Sequence, residues 1–410
     1  MEEKKPNQTE TKIPQSNAQK VARSSSLSVG MRKTTGFLAT SWKKATYLYI
    51  FAAMFIAFVI VTPYFRWGSV ANLFSQSSVL GVMALGMGII IITGDIDLSV
   101  GSNFAFTGGL AILAYNQIAT ASPDKKGLAM LVAFLICLGV GAVIGFLNGL
   151  LVGKLKMPSF IATLGTMLIF RSLCKFILKS IPTSNGQQQQ TYQIYDYSHS
   201  PFYSLGNNDL LGRNSNIILP ITGFLLFLMV GIVFYLVTYT KPGRKIYAIG
   251  SNARGASLAG INVPWTRIAV FTIAGVLVGL SAFLHTSIYG SMDSSTAGQS
   301  YELYAIASCI IGGIAMSGGK GNTVGILFGT MSFQIIDKII SALQLNPLIN
   351  DTIKGMILLI AVVLQLIQGG FVKNWIKMFQ NRQKVPSTFA KPAQPKPGAE
   401  KPVDPNNPKK

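Results

Sequence analysis

TGDIDLSVGS, residues 93–102, sets two carboxylates, Asp95 and Asp97, between Gly94 and Gly101 in a chain that is apolar on both sides. Run as one helix, residues 79–119 would extend about 60 Å, roughly twice the hydrocarbon thickness of a bilayer. The chain must therefore break here. A carboxylate at the lipid-facing centre of a span costs about 2.5–3.5 kcal/mol on insertion scales. Asp95 and Asp97 thus belong near an interface, against other protein, or beside a watery path. Gly94 and Gly101 permit backbone angles that other residues resist. Asp97 is placed to cap a helix starting at Leu98 through the Ser99 or Val100 amide, and lining or gating a path is the alternative. Two residues apart, the acids share no helical face, which argues against a stacked pair chelating one ion.

Outward from this break, half of the 410 residues are hydrophobic and 12% are charged, about half the charged share of a soluble domain. Ten candidate spans follow, near 46–64, 70–92, 101–119, 128–154, 159–181, 216–240, 265–290, 302–317, 322–343 and 353–372. The expected fold is an all-α integral membrane protein with about ten transmembrane helices and both termini cytoplasmic. Glycine-rich stretches such as GVGAVIGFLNGL let helix backbones approach closely where no hydrophobic force draws them together.

The formal charge of +21 does not point to nucleic acid. Residues 1–45 carry nine Lys/Arg against three acids, and 373–410 carry nine against two, so thirteen of the twenty-one charges lie in two polar, Pro-containing tails. That composition is disordered, and its basic side chains suit anionic membrane lipid. The expected organisation is a basic cytoplasmic tail (1–45), a permease domain (46–372) with an external loop (182–215), and a second basic tail (373–410). More than forty mostly polar residues precede the first apolar run, unlike a secretory signal. Cys137, Cys174 and Cys309 lack metal-ligand or CxxC spacing and read as buried small hydrophobes.

The excess of Lys and Arg marks cytoplasmic loops. An even span count places 26 of the 35 basic residues inside, including Lys154, Lys156, the 241–267 loop and Lys320. Arg171, Lys175 and Lys179 dissent: they share one helical face toward the outer end of the fifth span, where they snorkel outward or face a wet vestibule.

TGDIDLSVGS is similar to the Gly-Gly-Ile-Asp-Leu-Ser-Val-Gly signature of bacterial ABC sugar importer permeases of the ribose, xylose and galactose type, within the wider branched-chain amino-acid and sugar permease group. The likeness continues through 146–173, 243–263 (GRKIYAIGSNARGASLAGINV) and 298–325 (GQSYELYAIASCIIGGIAMSGGKGNTVG). It departs at Thr93, where the family has glycine, and at Tyr304, where it commonly has an acid. The resemblance implies an ABC ATPase subunit carrying ATP and Mg, an extracytoplasmic solute-binding protein, a homodimer, and residence as a multi-pass protein in the bacterial cytoplasmic (inner) membrane. It implies no cofactor, metal or catalytic residue in this chain.

The 241–264 loop is the expected coupling element. Asn252 followed by ARGASLA and Gly260 reads as a short helix with an Asn N-cap and a Gly past its end. Small residues such as Ala256 let it seat in a groove, with Leu258 and Ile261 as anchors. From the residues alone, an interfacial helix touching lipid headgroups explains it equally well. The resemblance implies contact with the ATPase through Gly250, Asn252, Arg254, Ala256, Leu258, Gly260 and Ile261.

SGGKGNT (317–323) is not a phosphate-binding loop, because Ile314 stands at the first glycine's place and Gly321 follows Lys320. A tight turn explains it. Candidates for the path or gate are Asp95, Asp97, Ser99, Asn148, Thr163, Tyr289 and Glu302. Glu302 alternatively marks a helix start, where a carboxylate opposes the positive dipole end. The leading function is the permease subunit of a sugar importer for a pentose or hexose. Nucleosides or another small polar solute, a proton- or sodium-coupled transporter using Asp95, Asp97 and His285, and a membrane scaffold acting through its tails are the rivals.

Overall fold

The computed structural model describes residues 46–62, 67–179, 191–208, 219–344, 352–356, 359, 360 and 363. The two basic tails and most of the expected 353–372 span lie outside these. The chain divides into a unit Met1–Ala361, treated below, and a unit Val362–Lys410 in which only Val363 is described.

The helices are α1 (Thr46–Val61), α2 (Trp67–Ile92), α3 (Val100–Ala121), α4 (Lys126–Gly153), α5 (Ser159–Lys179), α6 (Pro201–Asn207), α7 (Ile221–Tyr239), α8 (Lys241–Ser251), α9 (Ala253–Leu258), α10 (Val263–Tyr289), α11 (Tyr301–Ile311) and α12 (Thr323–Ala342). Strand β1 (Thr191–Gln193) pairs antiparallel with β2 (Ser291–Asp293), Tyr192 opposite Met292.

The all-α membrane fold holds. Among the described residues six helices, α2, α4, α5, α7, α10 and α12, are long and apolar enough to cross a bilayer. The expected span at 101–119 is the helix α3, whose buried Ser102, Asn103 and Thr107 lower its hydropathy because protein rather than lipid encloses it. The expected span at 302–317 stops at Ile311, so α11 is only about 16 Å long. Beyond it Gly313, Gly318, Gly319 and Gly321 take positive φ and turn the chain. α1 is likewise a shorter apolar helix.

α2 and α10 form the centre, and α4, α5 and α7 turn large apolar side chains outward, among them Leu131, Leu135, Phe176, Ile232 and Tyr235. That surface suits hydrocarbon. α4 meets α10 through glycines: a Cβ on Gly141 would lie 2.4 Å from the Gly275 carbonyl oxygen, and one on Gly145 3.0 Å from the Gly275 Cα. Only hydrogen side chains allow that approach, the packing mode expected where lipid removes the hydrophobic drive.

Part of the 182–215 loop folds back onto the bundle. Phe202 of α6 is buried with its ring 5.1 Å from Tyr115 and 5.3 Å from Phe283. The Tyr197 hydroxyl lies 2.7 Å from the Ser287 carbonyl oxygen at the end of α10. Asp196 pairs with Lys126 at 2.5 Å and with His199 at 2.8 Å, which holds its carboxyl below the usual carboxylate range. Arg171 donates to the carbonyls of Ala297 (2.6 Å) and Gly298 (3.1 Å) in the loop ahead of α11.

Candidate functional site

The break at 93–99 is non-helical, with turns on either side of residues 95–97, and its polar groups are bonded within the break and to neighbouring helices. Asp97 accepts the Ser99 amide at 2.8 Å and the Ser99 hydroxyl at 2.6 Å, and Asn148 of α4 donates to that hydroxyl at 2.7 Å. The helix begins at Val100, two residues beyond the expected Leu98, because Asp97 ties down the intervening turn. Thr163 of α5 accepts the Leu98 amide at 3.0 Å, and Ser159 accepts that of Ile96 at 3.2 Å. Asp95 points the other way, its carboxylate 2.9 Å from Arg267 Nε near the start of α10. Both acids are buried.

Thr163→Val should therefore strand the Leu98 amide. A buried donor without a partner costs about 1–3 kcal/mol. Thermal unfolding in detergent should show a clear drop for Thr163→Val and little change for Thr163→Ser, which keeps the hydroxyl. Equal stability of the two variants would contradict this role.

A cavity of about 290 Å³ lies where α2, α10, α11 and α12 meet, close to the lower bound of typical ligand sites, roughly 300–1,000 Å³. Its wall combines aromatic faces (Tyr289, Tyr301, Tyr304, Phe333) with the amides Gln76 and Gln334 and the ion pair Asp337–Lys354, 2.6 Å apart. His285 also faces it, between the rings of Phe104 (5.1 Å) and Tyr289 (4.6 Å). Of the seven path candidates only Tyr289 lines this cavity. Asp95, Asp97, Ser99, Asn148 and Thr163 belong to the break. Glu302, in the first turn of α11, lies over α3: a Cβ on Gly101 would come within 2.6 Å of its carboxylate.

The 241–264 segment has the anticipated local form. Asn252 accepts the Gly255 amide at 2.9 Å, capping α9, and Gly260 takes φ +81° just past its end. Ile261 N–H donates to the Ala256 carbonyl at 3.0 Å, closing the C-terminus. Ala256 is buried, Arg254 is exposed, and Leu258 is 87% exposed. Leu258, at the tip of the capped helix, is therefore free of cover within this chain.

Sequence reading missed what lies behind α9. The SGGKGNT stretch is a turn, and it is wedged against both α8 and the end of α2. Gly319 N–H donates to the Ile92 carbonyl at 2.9 Å. A Cβ on Gly250 would stand 1.8 Å from that same carbonyl oxygen, and one on Gly318 2.9 Å from Gly94 Cα. Backbone thus presses on backbone from α8 to the break. The other residues missed are Gln334 and Asp337. Their i, i+3 spacing inside an apolar run was the available signal, since an ionisable side chain within a span marks a functional site by default.

Residues 69–362 match the family described as branched-chain amino acid transport system / permease component. The chain is 31% identical to the ribose import permease protein of Haemophilus influenzae, over 76% of this chain and 91% of that one. It is 29% identical to the galactose/methyl galactoside import permease protein of Salmonella typhimurium, over 79% and 94%. It is also 29% identical to the xylose transport system permease protein of Escherichia coli, over 75% and 90%. No solved structure matches the chain.

Proposed function

Because the chain belongs to the permease-component family of branched-chain amino acid transport systems, we propose that it is the conduit of an importer for an uncharged monosaccharide, a pentose or hexose. It is a multi-pass membrane transport subunit and not an enzyme. In this reading an ATPase subunit, carrying ATP and Mg, seats α9 in its groove, a solute-binding protein delivers cargo from the other side, and two copies of the chain assemble together.

The cavity carries the proposal. A sugar ring is uncharged, has apolar faces, and bears hydroxyls that need both donors and acceptors. Tyr289, Tyr301 and Tyr304 supply ring faces, and Gln76 and Gln334 supply amides. The named cargoes of the relatives, ribose, galactose and xylose, are of this class.

The path of force follows from the contacts. α9 leads through Asn262, whose side chain accepts the Trp265 amide at 3.1 Å, directly into α10. α8 bears on Ile92 at the end of α2. α10 carries His285 and Tyr289 of the cavity wall, and α2 carries Gln76, Val79 and Leu80. A push on α9 therefore acts on two of the helices that line the cavity.

The test is uptake of labelled ribose, xylose and galactose into proteoliposomes holding the chain with an ABC ATPase subunit and a solute-binding protein from the same organism. ATP-dependent accumulation of one of these supports the proposal. Accumulation driven by a proton or sodium gradient without the ATPase, or transport of no monosaccharide, refutes it.

A further inference from the structure

Resting on that reading, we propose that Asp337 and Lys354 form the recognition pair of the cavity, a self-neutralised donor–acceptor unit that grips adjacent hydroxyls of the sugar. Lys354 is buried, its Nζ 2.6 Å from Asp337 Oδ1 and 4.5 Å from the centroid of the Tyr304 ring. Both residues line the 290 Å³ cavity, and they are the sole Asp, Glu, Lys or Arg among its described lining residues. Its wall is therefore electroneutral. A lone charge inside a membrane bundle is costly, and each partner removes that cost for the other.

Pairing leaves capacity over. A carboxylate has about four acceptor sites and an ammonium three donors, and the ion pair takes one of each. Both side chains line a space walled by tyrosines. A second cavity of about 200 Å³, lined by Ser300, Leu303, Ala307 and Gly355, shares Tyr304, Phe333 and Lys354 with the first. Lys354 thus stands where the two adjoin, in reach of a solute moving between them. A pair serving packing alone would need neither cavity. Net neutrality selects an uncharged solute, since an anion or cation meets only a charge already compensated. Adjacent hydroxyls, each both donor and acceptor, match the ammonium and carboxylate side by side.

The test compares uptake of the transported sugar with its single-position deoxy analogues, in proteoliposomes with the ATPase and binding protein. The same binding protein serves every variant, so a change in the sugar-to-deoxy ratio belongs to this chain. For at least one position, Asp337→Asn and Lys354→Met should each shift the ratio by about 10-fold, the scale of one net hydrogen bond. If either single variant fails to fold, Asp337→Asn/Lys354→Gln, which leaves no lone charge, carries the measurement. Unchanged ratios, whether or not rates fall, would overturn the pair as a recognition element. Failure of the wild-type complex to move any monosaccharide would instead overturn the reading beneath it, and the pair with it.

Discussion

Leu258→Glu is expected to leave the chain folded and inserted while ATP-driven uptake falls about 100-fold. The side chain is 87% exposed, so the substitution removes no contact within this chain. Its effect arises only when α9 enters a partner. Burying a leucine contributes about 1.5–3 kcal/mol, and a carboxylate driven into the same groove adds a desolvation cost. Together these exceed the roughly 2.7 kcal/mol that corresponds to 100-fold in an equilibrium constant. Co-purification of the ATPase should fall in parallel. Normal uptake by this variant would mean that α9 is an interfacial helix lying against lipid headgroups, the reading its residues alone leave open.

Gly250→Val should separate grip from transmission. A Cβ there meets the Ile92 carbonyl oxygen at 1.8 Å and the Gly319 nitrogen at 2.5 Å, both backbone atoms that cannot swing aside. Forcing atoms into such a contact costs about 1–3 kcal/mol and displaces the neighbours. The neighbours here are the end of α2 and the 313–321 turn, while the exposed tip of α9 is untouched. ATPase binding is expected to survive, and uptake to drop at least about 10-fold for a displacement of that cost. Gly255→Ala is the control, since its Cβ meets only the Asn252 side chain, at 3.2 Å or more. Loss of ATPase binding in Gly250→Val would place the damage in α9 itself.

The membrane class, the break at Asp95 and Asp97, and the capped helix at 253–258 were legible because each rests on local chemistry. Apolar run length, an acid between glycines, and an Asn followed by small residues are properties of neighbours in sequence. The surroundings and ends of the apolar segments were not legible: Ser102, Asn103 and Thr107 of α3 are enclosed by protein, and α11 ends at Ile311, ahead of four positive-φ glycines. Apolar length measures burial without distinguishing lipid from protein. The cavity was hidden for a related reason. Gln76, Tyr289, Tyr304, Asp337 and Lys354 lie on separate elements, and only packing brings them together. Asp95 and Asp97 drew attention as the conspicuous intramembrane acids, yet their partners are Arg267 and Ser99. Asp337, less conspicuous inside FQIIDKIIS, faces the space.

That a separate nucleotide-driven subunit grips α9 is tested most directly by maleimide labelling of the Leu258→Cys thiol in membranes with and without the partner ATPase subunit. Cys137, Cys174 and Cys309 are buried, so label reports on position 258. The account predicts rapid labelling of the chain alone and strong protection once the ATPase is co-expressed. Equal labelling in both membranes would contradict it.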